Sequence, residues 1–447
     1  MATSRARAQH SSGLVPPSFA ATAALSRRSF LRGAGLTAGA LTAPSLLAGC
    51  GGGGDSGSSA DTITVGVNEA KGSGRAYDQA KGRLDAFVKA SSNKIKASYV
   101  DHNTFQEGIN NYLQGNPDDV FTWFAGYRVR TFADSGLVGD VSEVWPIDGV
   151  ADAFKEASTA SDGNQYFVPT NNYPWAVFYF KSLWEKNGYT VPKTMDEFVA
   201  LSKQMQKDGL EPIALADKDG WPAMGTFDIL NMRINGYDYH IDLMSGDESW
   251  DSDKVKTVFD TWRGLLPYHQ ADSLGRTFQE AVSSLQQKKT GMYLLGLFLT
   301  DTLPVEQQKD IDFFTFPEVD STVGADAIDA PIDGFCMSAN PKNKEGAIDL
   351  LKFLGSTKAN DALNTAKIPM IATNANADTS NYTDLQKRAA DFIAEQKSIA
   401  QFLDRDTDPA FASTVMIPAL QDFIKKPDDV DGLVKSIEEQ RKSIFAG

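Results

Sequence analysis

Short strands alternate with helices along much of this chain, and that alternation confines it to a small set of folds. Thr62-Ile-Thr-Val-Gly-Val67 reads as a strand by its β-branched content, and the helical pattern that follows carries Leu84, Phe87 and Val88 on one face. A second strand over 95–100 precedes a helix with Thr104 as its expected cap and Ile109 and Leu113 as its apolar face, and a third strand runs over 119–123. Repetition of this kind implies βαβ units and a mostly parallel sheet. In such sheets ligands bind in the crevice outside the carboxyl ends of the strands, so function is sought in the loops that follow strands.

Ahead of the alternation lies SRRSFLRGAGLTAGALTAPSLLAGC, residues 26–50. Ser26-Arg27-Arg28-Ser29-Phe30-Leu31 resembles a twin-arginine export signal, and Leu47-Ala48-Gly49-Cys50 resembles a lipobox. The apolar run between them is shorter than the roughly 20 residues of a transmembrane helix, so it reads as an address rather than a span. The expectation is a signal peptide over 1–49, a lipidated Cys50, and a flexible Gly/Ser linker through residue 60. The body would then work outside the cytoplasm, anchored by lipid to the outer face of a bacterial cell membrane.

Charge narrows the partners. Residues 1–49 contain five arginines and no acid, so the formal charge of −15 falls to −20 without them, which argues against nucleic acid or anionic lipid as a partner. With Cys50 assigned to lipid, Cys336 is left alone in a strand-like apolar run, and no intramolecular disulfide is expected. The chain beyond residue 49 is long enough for two or more domains.

Aromatic residues mark the candidate ligand surfaces. Trp123, Phe124 and Tyr127 cluster at the end of the third strand, either as a flat apolar ligand face or as core. Val168-Pro-Thr-Asn-Asn-Tyr173-Pro174-Trp175 opens an apolar strand, and a helix is expected over 181–187. Thr194-Met-Asp-Glu197 reads as a capping box for a helix with Phe198, Leu201 and Met205 in the core. A strand over 213–217 ends in a turn at Asp217-Lys-Asp219-Gly220-Trp221, with Pro222 near the start of a helix through Asn231. Asp217 and Asp219 read as hydroxyl acceptors or as solvated turn carboxylates. A helix over 278–288 leads to the strand that ends in Gly296-Leu297-Phe298. Further on, Asp333 is either an acceptor or a turn residue capping the Gly334 loop.

Four blocks, in order, resemble the extracellular sugar-binding proteins of ATP-driven importers, the family 1 solute-binding proteins of the maltose and multiple-sugar type. They are the first strand ending in Asn68-Glu-Ala-Lys71-Gly72, the Trp123 loop with Ser135-Gly136-Leu137, Tyr179-Phe-Lys181-Ser-Leu-Trp184, and Lys289-Thr-Gly291-Met292 through Phe298. The resemblance covers most of residues 61–447. It implies an α/β, two-lobed periplasmic-binding-protein-like fold of type II, each lobe a mostly parallel sheet flanked by helices, joined by a multi-segment hinge. Lobe I would comprise 61–171 and 333–372, and lobe II 172–332 and 373–447. The implied ligand contacts are Asn68, Lys71, Trp123, Phe124, Tyr127, Tyr173, Trp175, Asp219, Trp221, Gly296, Phe298, Asp333 and Asp404. Phe298 stands where the family usually places Trp, which keeps a stacking ring and removes an indole donor. The implied partners are a carbohydrate and the permease subunits of an ABC transporter, with the chain a monomer and no cofactor.

Enzyme chemistry finds little support. His102, His240 and His269 show no metal-binding spacing, and neither a Gly-x-Ser-x-Gly elbow nor a phosphate loop occurs. Asp404-Arg-Asp406-Thr-Asp408 imitates a calcium loop, but Pro409 replaces its turn glycine and Val415 its bidentate glutamate. A secreted carbohydrate-active hydrolase remains the alternative, since acidic pairs abound. A receptor for peptides, polyamines or another non-sugar solute is the third reading.

Overall fold

The computed structural model describes residues 62–368 and 370–445. The expected roles of Arg27, Arg28 and Cys50, and the linker, lie outside the described residues.

Among the described residues, twelve strands form two main sheets and a two-stranded ribbon. They are β1 (Thr62–Val67), β2 (Lys94–Tyr99), β3 (Val120–Phe124), β4 (Val138–Gly139), β5 (Val168–Asn172), β6 (Trp175–Phe180), β7 (Glu211–Ala214), β8 (Thr290–Gly296), β9 (Ile311–Phe314), β10 (Ala327–Asp329), β11 (Ile332–Ser338) and β12 (Ser398–Ala400). The first sheet has the order β2-β1-β3-β11-β4 with β5 also on β11, and the second β7-β8-β6-β9.

The βαβ expectation holds where the first sheet begins. β1 pairs in parallel with β2, Thr62 opposite Lys94, and with β3, Val65 opposite Val120. β11 then enters antiparallel to β3, β4 and β5, because it arrives from the β10–β12 ribbon and runs the other way. The second sheet is also mixed, with β7 parallel to β8 and β6 antiparallel to both its neighbours. Strand sense is thus more varied than the alternation alone implied.

The period-2 alternation of strand side chains gives the first sheet two buried faces. Val65 and Val120 pack with Leu84 and Leu351 on one face, while Phe121, Trp123 and Cys336 pack with Phe132 on the other. The core around the second sheet includes Phe178, Phe198, Leu201, Met205 and Trp262. Burial pushes the Cys336 thiol well up, as an inert core residue requires.

Several local expectations shift for identifiable reasons. On the helix Arg75–Ala90 the buried stripe runs through Ala80, Arg83, Leu84 and Phe87, and Val88 falls off its edge at 42% exposure. The helix His102–Gln114 is capped by Asp101, whose carboxylate accepts from Thr104 N and Thr104 Oγ1, both at 3.2 Å, so Thr104 is the cap's partner rather than the cap. Thr194 caps the helix Met195–Lys207, but Glu197 Oε2 accepts from Lys193 N at 2.7 Å instead of closing the box on Thr194. The helix Phe278–Gln286 stops short of residue 288, where Lys288 takes a left-handed φ of 57°.

The chain passes between the sheets through short connections. Tyr173-Pro174 separates β5 from β6, and Ala330-Pro331 separates β10 from β11. The helices Lys344–Gly355 and Thr357–Thr365 follow β11, and Ala389 and Ile393 of the later helix Asp384–Ala394 pack into the second sheet's core.

Candidate functional site

A cavity of about 630 Å³ opens where these connections meet the carboxyl ends of the first strands. From the first sheet's side it is lined by Glu69 and Arg75 after β1, by Asp101 and His102 after β2, and by Asn171 and Asn172 at the end of β5. From the second sheet's side come Trp175, Trp221, Phe278 and Phe298, and from the chain after β12 come Phe402, Asp404 and Arg405.

The second wall is an aromatic box. Trp175 sits 6.2 Å from Trp221 and 5.9 Å from Phe298, centroid to centroid, and Phe278 stands 5.6 Å from each of Trp221 and Phe298. Tyr173 meets Phe298 edge-on at 5.4 Å. Edge-to-face contacts of this kind fix ring orientation as well as burying area. Two glycines make the box possible: a Cβ at Gly225 would lie 2.5 Å from the Trp175 indole, and one at Gly296 would lie 2.3 Å from the Phe298 ring.

Trp221 owes its place to Asp217. Asp217 is fully buried, its Oδ1 accepts from Ala223 N at 2.8 Å, and its carbonyl accepts from Gln421 Nε2 at 2.8 Å. It thereby holds the start of the helix Pro222–Asn235, which Trp221 immediately precedes. Its Oδ2 has no hydrogen-bond partner, and burial pushes its carboxyl up to about 7. The solvated-turn alternative for this residue is therefore overturned, because the turn folds inward beneath the helix.

The polar part of the site centres on Arg405. Its Nη1 lies 2.9 Å from Asp333 Oδ1, its Nη2 donates to Tyr173 Oη at 3.3 Å, and its guanidinium lies 3.9 Å from the Phe124 ring centroid. Burial opposes its charge, but Tyr173, Asp333 and Asp404 outweigh burial and raise its pKa. Burial raises Asp333, with Arg405 opposing the rise. Asp404 Oδ2 lies 3.7 Å from Arg128 Nη1, and Asp404 Oδ1 accepts no hydrogen bond. Asp219 on the other wall is raised chiefly by burial.

The structure thus brings Tyr173, Trp175, Asp219, Trp221, Phe298, Asp333 and Asp404 to the cavity wall. It places the other expected contacts elsewhere. Trp123 is 1% exposed in the core of the first sheet, because alternation along β3 turns it onto the face packed by Phe132. Phe124 lies one layer back, beneath Arg405. Asn68 is tied to β3, its N–H and its Oδ1 each 2.8 Å from Thr122 Oγ1. Lys71 is exposed in the turn before the helix Arg75–Ala90, and Tyr127 starts the helix Tyr127–Asp134 outside the cavity lining. Gly296 gives room to the rings rather than lining the cavity itself.

The sequence reading missed Arg75, Asp301, His102, Phe278 and Arg405, all of which line the cavity. His102 stood in plain view by the strand-end rule, directly after β2. Arg405 did not, since it is recognisable only by Asp333, 72 residues away.

The sequence pattern of the bacterial extracellular solute-binding proteins matches residues 71–361. An uncharacterised ABC transporter extracellular-binding protein of Pyrococcus horikoshii is 25% identical over 384 residues, covering 81% of this chain and 84% of that protein. The crystal structure of the bacterial solute receptor AcbH, described as having an exclusive preference for β-D-galactopyranose, superposes with a TM-score of 0.83 at 41% identity, covering 86% of this chain and 99% of AcbH. A solute-binding protein of Thermotoga lettingae bound with α-D-tagatose shares the fold, with a TM-score of 0.72 at 15% identity over 86% of this chain and all (100%) of that one. With its two-lobed α/β architecture and the cleft at its strand ends, the chain belongs to the bacterial extracellular solute-binding protein family.

Proposed function

We propose that the cleft captures a sugar, with a galactopyranose-type hexose as the first candidate, and that the loaded receptor delivers it to the permease of an ABC transporter. The aromatic box set against carboxylates and amides is the observation that carries this reading. A pyranose presents C–H groups that pack on rings and hydroxyls that need acceptors and donors at fixed positions, and the two kinds of wall answer those two needs. Galactose comes first because AcbH, 41% identical, carries that preference.

In this reading Trp175, Trp221 and Phe298 stack against the sugar, while Asp219, Asp333 and Asp404 accept from its hydroxyls. Residues 61–171 with 333–372 and 172–332 with 373–447 move as two bodies about the connections at Tyr173-Pro174 and Ala330-Pro331, and close on the ligand. The chain acts as a receptor and not as a hydrolase. It works as a monomer outside the cytoplasm, tethered through lipid on Cys50 after export directed by Arg27 and Arg28, so that the tether concentrates it beside its transporter.

Tryptophan emission tests the binding role, since Trp175 and Trp221 stand in the wall. D-galactose should change it saturably and more tightly than D-glucose, with no sugar product released on prolonged incubation. A silent response to every sugar, or release of a hydrolysis product, would reject the proposal. Cys50→Ser should move the protein from the membrane to the soluble fraction in a bacterial host, and unchanged membrane retention would reject the tether.

A further inference from the structure

Behind the cleft, in the lobe built on the second sheet, Asp228, His240 and Asp329 each bring one donor atom to within 4.8 Å of the others, and all three residues are buried. They come from separate elements: Asp228 from the helix Pro222–Asn235, His240 from the helix Tyr237–Ser245, and Asp329 from the end of β10.

Several of their polar atoms lack hydrogen-bond partners despite the burial. Asp329 is 0% exposed, and neither of its carboxylate oxygens has a hydrogen-bond partner. Asp228 Oδ2 accepts from Leu403 N at 2.7 Å, and its Oδ1 is unpartnered. His240 Nδ1 lies 3.1 Å from Asn231 Nδ2, and its Nε2 is unpartnered. The neighbouring Arg233 does not fill the gap: its guanidinium donates to Phe316 O, Ala327 O and Thr315 Oγ1. A buried oxygen without a partner is destabilising, and a buried carboxylate has to be paired, ligated or protonated.

We propose that Asp228, His240 and Asp329 hold a divalent transition-metal cation, zinc first. Two carboxylates and one imidazole form a mixed oxygen and nitrogen donor set suited to such an ion, whereas calcium takes six to eight oxygens and magnesium keeps a near-octahedral oxygen shell. The spacing accommodates it: a point lies within about 2.8 Å of all three donor atoms, against zinc bond lengths of about 2.0–2.2 Å, so small inward movements complete the site. Arg233 and Arg405 act on Asp329 without hydrogen-bonding it, and a cation of charge two would supply the charge they leave uncompensated on Asp228, Asp329 and the nearby Asp406. For Nε2 to bind the ion, Nδ1 has to carry the ring proton, so the Asn231 amide, whose Nδ2 faces Nδ1 while its Oδ1 accepts from Asn235 Nδ2, turns its oxygen toward the imidazole when the metal binds.

The site bears on the cleft from behind. Asp228 holds Leu403 N, and Asp329 pairs with Ala400 across the β10–β12 ribbon, so the cation fastens both ends of the segment that leads to Asp404 and Arg405. It has no sequence signature because its donors are scattered over 228, 240 and 329, and only the packing of two helices against β10 unites them.

The test uses the untagged full chain, expressed in zinc- or cobalt-supplemented medium and desalted through a chelating buffer. Wild type should retain about one metal per chain, show visible cobalt absorption of a low-coordinate nitrogen and oxygen site, and unfold at least about 4 °C above protein expressed without added metal. Asp329→Asn and His240→Asn should each retain less than about a tenth of an equivalent. Folded wild type that holds no metal after desalting overturns the proposal, whatever the variants do. Equal retention by a folded Asp329→Asn variant overturns it as well, since the metal would then sit elsewhere.

Discussion

Arg75 Nε lies 3.3 Å from Asp301 Oδ1 across the mouth of the cleft. Arg75 opens the helix after β1, and Asp301 belongs to the short helical turn after β8, so the pair ties the first sheet's side to the second. The two side chains are 20% and 24% exposed, and burial pushes the Asp301 carboxyl up to about 7 with the Arg75 charge opposing it, so desolvation offsets most of the attraction and the pair is worth about 1 kcal/mol or less at the solvent-reached mouth. Arg75→Ala should therefore weaken sugar binding by about fivefold or less at low ionic strength, and by less still in about 0.5 M salt. Titrations at the two salt concentrations check this, and a loss independent of salt would contradict the role.

Trp221 is half-buried, whereas Trp175 is nearly enclosed. Trp221→Ala should cost at least about 1 kcal/mol of sugar affinity, roughly fivefold, because it removes a stacking face. Trp175→Ala should also destabilise the fold by about 3–5 kcal/mol, because it empties a packed core site. Affinity and denaturant midpoints measured on both variants separate the two effects. Unchanged affinity in Trp221→Ala would remove that ring from the site.

Gly296→Ala tests the packing of the box. The new Cβ would fall 2.3 Å from Phe298 Cε1 and 3.1 Å from Tyr173 Cε2, so the Phe298 ring has to swing away. The expected outcome is a loss of sugar affinity of about tenfold with a smaller change in unfolding temperature. Wild-type affinity in this variant would show that the position of Phe298 does not matter to the ligand.

Asp217 predicts a direction of pH dependence. Burial raises its carboxyl from 3.8 to about 7, so the folded chain holds this proton more tightly than the unfolded chain does. The contribution to stability is fully present below about pH 4 and is lost as pH rises towards 7, at up to roughly 1.4 kcal/mol per pH unit. Asp217→Asn should reduce the fall in stability between pH 5 and pH 7.5 (about 1.4 kcal/mol per unit at most). Denaturant unfolding across that range checks the sign, and an identical slope in the variant would contradict it.

Much of the fold was legible because strand–helix alternation and apolar stripes are local signals. Leu84, Phe87, Phe198, Leu201 and Met205 all sit in the core where their spacing put them. The sense of β11 was not legible, since it depends on the direction from which a strand returns after crossing to another sheet. At the cavity, Tyr173 and Trp175 reach the wall because they flank a crossing between sheets. Trp123 takes the core alternative that the sequence left open, because an aromatic near a strand end faces the core or the crevice according to a single step of register. Arg405 and the Asp228, His240 and Asp329 cluster are products of distant packing, and neither spacing nor composition marks them.

Calorimetric titration of the folded, purified chain with D-galactose, D-glucose, D-mannitol and short xylo- and chito-oligosaccharides tests the central claim most directly. The account predicts saturable one-to-one heat with at least one sugar, galactose the tightest, and little or none with charged peptides or polyamines. Heat from a charged solute alone, or from no sugar at all in a sample shown to be folded, would contradict it.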